Sequence, residues 1–128
     1  MRFTREHRLS RAGDIERVRR AGRAWSVGPL VLVVAPGQPG APTRMAVIAG
    51  KKVGSSVERN LSKRRLREAF RGRLPYIKKG WDLLLIARPS ILQSDFRRVE
   101  AALAESLKRA HLYEETGDVV DTPLPEDN

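Results

Sequence analysis

Residues 51–73 (KKVGSSVERNLSKRRLREAFRGR) constrain the fold most, because so charged a stretch can be buried along one side only. A helix over 57–71 places Asn60, Lys63, Arg64, Arg67 and Arg71 at i, i+3, i+4, i+7 and i+11, which is one helical face. Ser62, Leu66, Ala69 and Phe70 fall on the opposite face and can pack on a core. The helix is thus expected to lie on the surface, held down on one side. Its other side offers hydrogen-bonding groups, most of them cationic, in register. Glu58 and Glu68 are the acidic residues near that face, and they sit at its margins. Arginine dominates the face, and its planar fork suits bidentate phosphate contacts. A solubility patch has no need of the asparagine. The pattern points to a nucleic-acid partner.

Charge supports that reading. The 128 residues carry a net charge of +10. Glu114, Glu115, Asp118, Asp121, Glu126 and Asp127 gather in the final stretch, which has no Lys or Arg. Without it, the body has 25 basic and nine acidic residues, a net of +16. Such an excess fits a polyanionic partner. The length suits one domain with a real core, expected over 1–113, and an acidic, disordered tail over 114–128. There is no cysteine, hence neither disulfide framework nor thiolate metal site. No apolar run approaches a membrane span, and the N-terminal MRFTREHRLS lacks the apolar stretch of a secretory signal. A cytoplasmic protein with no membrane partner is expected.

The remaining elements follow from apolar pattern and punctuation. Residues 1–9 read as irregular. Ser10 is the expected cap of a helix running to about Ala21, with Gly22 as its stop. SVGPLVLVVA (26–35) reads as a strand that can also be divided in two, and RMAVIA (44–49) as the next. PGQPGAP between them is a loop, so these strands are expected to pair antiparallel. The basic helix should end near Gly72, since Pro75 prevents its continuation. WDLLLIA (81–87) is a further strand. Ser94 is the expected cap of a last helix over 95–112, with Phe96, Val99, Leu103, Leu107 and Ala110 as its apolar stripe. The order helix, strand, strand (or two), helix, strand, helix implies an α+β sandwich: a small mixed sheet with helices packed mainly on one face.

Groups for chemistry are scarce. Hydrolysis by the protein would need a carboxylate cluster holding metal, or a positioned acid and base. Asp14, Glu16, Glu58 and Glu68 lie among Arg and Lys, where ion pairing is the expected role. His7 and His111 stand near opposite ends of the body and read as solvated. No catalytic residue and no metal ligand set is predicted.

The segment Lys51-Lys52-Val53-Gly54, followed by Arg59-Asn60-Leu61-Ser62-Lys63-Arg64-Arg65-Leu66-Arg67-Glu68, resembles the signature of the bacterial ribonuclease P protein family. RVRRAG (17–22), LVLVVAP (30–36) and DLLLIARP (82–89) resemble that family's first helix, first long strand and the strand after the signature helix. The resemblance spans about residues 8 to 110, with the motifs in order. Two departures stand out. Leu61 occupies the place of the signature's second arginine. Ile15, Arg19 and Val33 occupy positions where many members carry the aromatic residues of a single-strand cleft, so ring stacking is absent there.

The resemblance implies an RNA-binding subunit of ribonuclease P, an α/β sandwich like certain ribosomal-protein domains. Its RNA partner does the chemistry with magnesium held largely by RNA, and the protein binds no cofactor. In this role the protein assists removal of the 5′ leader from precursor tRNA, as a monomer, one per RNA. Arg59, Asn60, Lys63, Arg64, Arg67 and Arg71 would meet the ribonuclease P RNA, with Lys51 and Lys52 on its backbone near the helix start. Ile15, Arg19 and Val33 would line the leader cleft. Arg59 lies off the main stripe and can instead fix the preceding turn. Arg65 points to the packing side, Glu68 can pair with Arg64, and Gly54 serves a turn needing positive φ. A ribosome-associated or RNA-chaperone protein would explain charge and fold equally well, but not the ordered motifs. A protein-only nuclease and a sequence-specific DNA binder are the remaining rivals.

Overall fold

A computed structural model describes residues 5–114. The acidic stretch beyond Glu114 lies outside the described residues. Helix α1 (Ala12–Ala21) leads into β1 (Arg23–Val27) and β2 (Leu30–Pro36). Strand β3 (Arg44–Ile48), α2 (Ser56–Arg73), β4 (Trp81–Ala87) and α3 (Phe96–Arg109) follow. The long apolar run is therefore two strands. Gly28, at φ 53°, makes the turn that lets Val27 pair with Leu30.

The sheet order is β1-β2-β4-β3. β1 with β2 and β2 with β4 are antiparallel, whereas β3 and β4 run parallel. The expected pairing of β2 with β3 does not form, because β4 lies between them. Burial explains the insertion. Leu83, Leu84 and Leu85 are fully buried, so β4 is apolar on both faces, and such a strand belongs in the middle of a sheet. α2 is the crossover that a parallel β3–β4 pair requires.

The alternation of β4 divides the core. Leu83 and Leu85 face a large cluster with Leu66, Ala69 and Phe70 of α2 and Val99, Leu103 and Leu107 of α3. Leu84 faces a smaller one with Val18 of α1, Val33, Ala35 and Leu9. α2 and α3 share one face of the sheet, and α1 lies alone on the other. The buried residues of α2 are Ser62, Leu66, Ala69 and Phe70, as its periodicity predicts.

Several ends differ from expectation. Ser55 caps α2 in a reciprocal box: its Oγ accepts from Glu58 N at 3.2 Å, and Glu58 Oε1 accepts from Ser55 N at 2.8 Å. Asp95, not Ser94, caps α3, accepting from Arg98 N at 2.9 Å. Phe96 is exposed rather than part of the α3 core stripe. α1 begins after Arg11, which makes no side-chain cap bond. Its stop, Gly22, is a glycine for want of space rather than for a left-handed turn. φ there is −81°, and a Cβ would stand 2.6 Å from Val18 O and 2.9 Å from Val34 O. The N-terminal approach is less irregular than expected: Leu9 N donates to Met45 O at 2.9 Å and its side chain is buried. His7 is buried as well, not solvated.

Candidate nucleic-acid interface

α2 presents its polar face outward. Asn60, Arg64, Arg67 and Arg71 are exposed and Lys63 half-buried. Just before the helix, Lys51 and Lys52 stand exposed on a short turn anchored by buried Val53. Gly54 then reverses the chain at φ 147°, and a Cβ there would strike the Glu58 carboxylate of the capping box. Among the described residues no carboxylate lies within ion-pair distance of Lys51, Lys52, Lys63, Arg64 or Arg67. These cations are free to meet an external anion. Arg71 differs. It is paired with Glu68, which the sequence had assigned to Arg64. The i, i+3 pair is half exposed, so it is weak and can open.

The two arginines off the stripe have structural partners. Arg59 Nη2 reaches Ser56 Oγ at 3.4 Å, against the first turn of the helix. Arg65 Nη1 donates to Ile91 O at 3.2 Å and Ser94 O at 3.0 Å, tying α2 to the segment before α3.

On the α1 side, the sheet is only partly covered. Val31, Ala46, Ile48 and Ile86 are half-buried around the smaller core, leaving an apolar floor beside α1. Ile15, Met45, Ala46 and Arg67 line one groove together with Arg8. The basic face of α2 and the α1–sheet groove are therefore contiguous, with Arg67 at the junction. Arg19 is exposed one turn beyond Ile15. Val33 is 6% exposed and packs under α1, which leaves it little surface for a ligand.

Sequence reading missed what locks α1 in place. Asp82 of β4 is 1% exposed, and its carboxylate accepts from three guanidinium N–H groups. Arg17 of α1 donates to Oδ2, while Arg44 of β3 donates through Nε at 3.0 Å and Nη2 at 2.9 Å. Arg17 also donates to Pro36 O at 3.1 Å, and Asp14 lies 3.6 Å from Arg17 and 3.8 Å from Arg44. Hydrogen bonding to Asp82 raises the Arg44 guanidinium above its ordinary pKa, against an opposing effect of burial. The available signal was a lone carboxylate inside an apolar strand, which has to find partners. No three of His, Asp and Glu among the described residues come together as a metal-binding group. No helix among them is long and apolar enough to cross a membrane.

Fold and face together define a small α+β protein with the charge layout of a polyanion binder. The ribonuclease P family model matches residues 3–111. The ribonuclease P protein component of Chloroflexus aggregans is 37% identical over 128 residues, covering 95% of this chain and 94% of that one. The RNase P protein of Thermotoga maritima superposes with a TM-score of 0.71 at 27% identity, over 80% of this chain and 96% of that one. That of Staphylococcus aureus superposes with a TM-score of 0.75 at 24% identity, over 84% and 98%, a likeness of fold. The chain belongs to the ribonuclease P protein family.

Proposed function

We propose that this chain is the RNA-binding protein subunit of ribonuclease P, assisting a catalytic RNA in the endonucleolytic removal of the 5′ leader from precursor tRNA. The observation that carries the reading is the α2 face on which Lys63, Arg64 and Arg67 have no carboxylate partner, joined through Arg67 to the groove beside α1. Lys51, Lys52, Asn60, Lys63, Arg64 and Arg67 hold the RNA subunit. Arg71 joins them when its pair with Glu68 opens, and Arg59 orders the first turn of the helix. The groove at Ile15, with Arg19 at its margin, takes the leader through apolar packing and charge instead of ring stacking. Val33 supports it from beneath.

In this reading magnesium belongs to the RNA, and the protein supplies position and charge, with no catalytic side chain of its own. It acts in the cytoplasm as a monomer, one per RNA, through a single domain over 1–113. The acidic tail over 114–128 is a solubilising extension.

Reconstitution tests the proposal. Purified protein is mixed with the ribonuclease P RNA of the same source, near-physiological magnesium and precursor tRNA labelled in its leader. The mixture should cleave well, RNA alone poorly and protein alone not at all. Cleavage by the protein alone would make it a nuclease in its own right. A mixture no better than RNA alone would refute the proposal and favour a ribosome-associated or chaperone role.

A further inference from the structure

The basic face of α2 is not uniformly polar. Val57 is 76% exposed, the most exposed large apolar residue among those described. Leu61, one turn on, is half exposed. Neither belongs to the core or to the partly buried residues packed on it. Both line a surface notch with Asn60, Lys63, Arg64 and Arg67. Val57, Asn60, Leu61 and Arg64 stand at i, i+3, i+4 and i+7, so the notch follows one side of the helix.

Folding does not account for these two residues. Valine is a mediocre helix former, and neither side chain is buried by the core. Phosphate binding alone does not account for them either, since a cation at either place would serve it better. An apolar floor ringed by cations and one amide matches a different part of a nucleic acid. A nucleobase has apolar faces, an edge of donors and acceptors, and a phosphate on each side. Within a helix those faces are hidden by stacking, and only an unstacked base offers them. The Asn60 amide supplies both donor and acceptor for the edge.

We infer that the notch between Val57 and Leu61 seats one unstacked base of the bound RNA, with Asn60 on its edge and Lys63, Arg64 and Arg67 on the adjoining phosphates. This rests on the RNA-binding reading above and adds to it a preference for bulged or looped RNA over continuous duplex.

The test uses the full chain and two RNA hairpins of equal nucleotide number, one fully paired and one with a single unpaired adenosine in its stem. Wild-type protein should bind the bulged hairpin about 5–10-fold more tightly, as partial burial of two apolar side chains under one base would give. The double variant Val57→Ala, Leu61→Ala keeps the helix, since alanine is the best helix former. It should reduce the preference below about 2-fold while leaving the salt dependence unchanged, because no charge is removed. With 2-aminopurine in place of the unpaired adenosine, wild-type protein should alter its fluorescence and the double variant should not. Equal binding of both hairpins by the wild type, or a preference that survives the double variant, overturns the inference. So does a double variant that changes only self-association, which would make the notch a contact between protein copies. Arg64→Ala separates this from the parent reading: it should weaken both hairpins alike. If the protein binds neither hairpin, the RNA-binding reading itself fails.

Discussion

Asp82→Asn is the substitution with the most to say about how the groove is held. Its carboxylate is 1% exposed and takes three charge-assisted hydrogen bonds, from helix α1 through Arg17 and from strand β3 through Arg44. Bonds of that kind contribute about 1.5–3 kcal/mol each when removed singly. The sum overstates the effect for two reasons. Burying the carboxylate has its own desolvation cost. The arginine side chains are 41% and 35% exposed, so water can take over much of what they lose. The amide keeps one oxygen acceptor but turns its NH2 group toward two cations. A net destabilisation of about 2–3 kcal/mol follows, below the roughly 3–5 kcal/mol expected when a fully buried pair is broken. Urea unfolding measures it as a lower midpoint with an unchanged m-value. A double-mutant cycle assigns the cause: with Arg17→Met and Arg44→Met already in place, Asp82→Asn should cost much less. A loss below about 0.5 kcal/mol in the wild-type background would refute the reasoning, placing Asp82 among ordinary surface pairs. So would a loss of equal size in the background lacking Arg17 and Arg44.

Further outcomes follow from individual sites. Arg67→Ala should leave stability within about 0.5 kcal/mol of wild type, since the residue is exposed, yet weaken RNA binding by about 1–3 kcal/mol. The slope of log K against log salt, on the order of −3 to −5 for the intact face, should flatten by about 0.7–0.9; a filter-binding titration at several salt concentrations checks both. Gly22→Ala should destabilise by about 2 kcal/mol through overpacking, because the added Cβ meets backbone oxygens of Val18 and Val34 and the buried Val33 Cγ1. A urea midpoint equal to wild type would show that the backbone yields there. His111 ends α3 in the left-handed region at φ 61°, so His111→Gly should stabilise by about 0.5–1 kcal/mol, seen as a higher melting temperature.

Most of the individual elements were legible because their signals are local. The two faces of α2 are written in its spacing, and the buried residues Ser62, Leu66, Ala69 and Phe70 are those its periodicity selects. Val99, Leu103 and Leu107 of α3 follow from the same period, while Phe96, the first residue of the helix after its Asp95 cap, falls out of the stripe and is exposed. The strand WDLLLIA was readable as a strand from its apolar run, while its burial on both faces came only with the structure. The cations of the candidate interface were legible for the same local reason. Their freedom was not, since Glu68 could reach either Arg64 or Arg71, and only side-chain placement decides between them.

By itself, then, the sequence determined a chain of amphipathic helices and apolar strands carrying one cationic face. Periodicity of a few residues encodes which side of an element is buried, and charge composition encodes what its other side can meet. The tertiary structure alone decided how those elements join. It set β4 between β2 and β3, put α1 on the far side of the sheet from α2 and α3, and buried Val33 beneath it. It also brought Arg17 and Arg44 onto Asp82, and Arg67 beside Ile15. Strand neighbours and long-range ion pairs depend on how whole surfaces are shared out among elements distant along the chain, and no local period records that division.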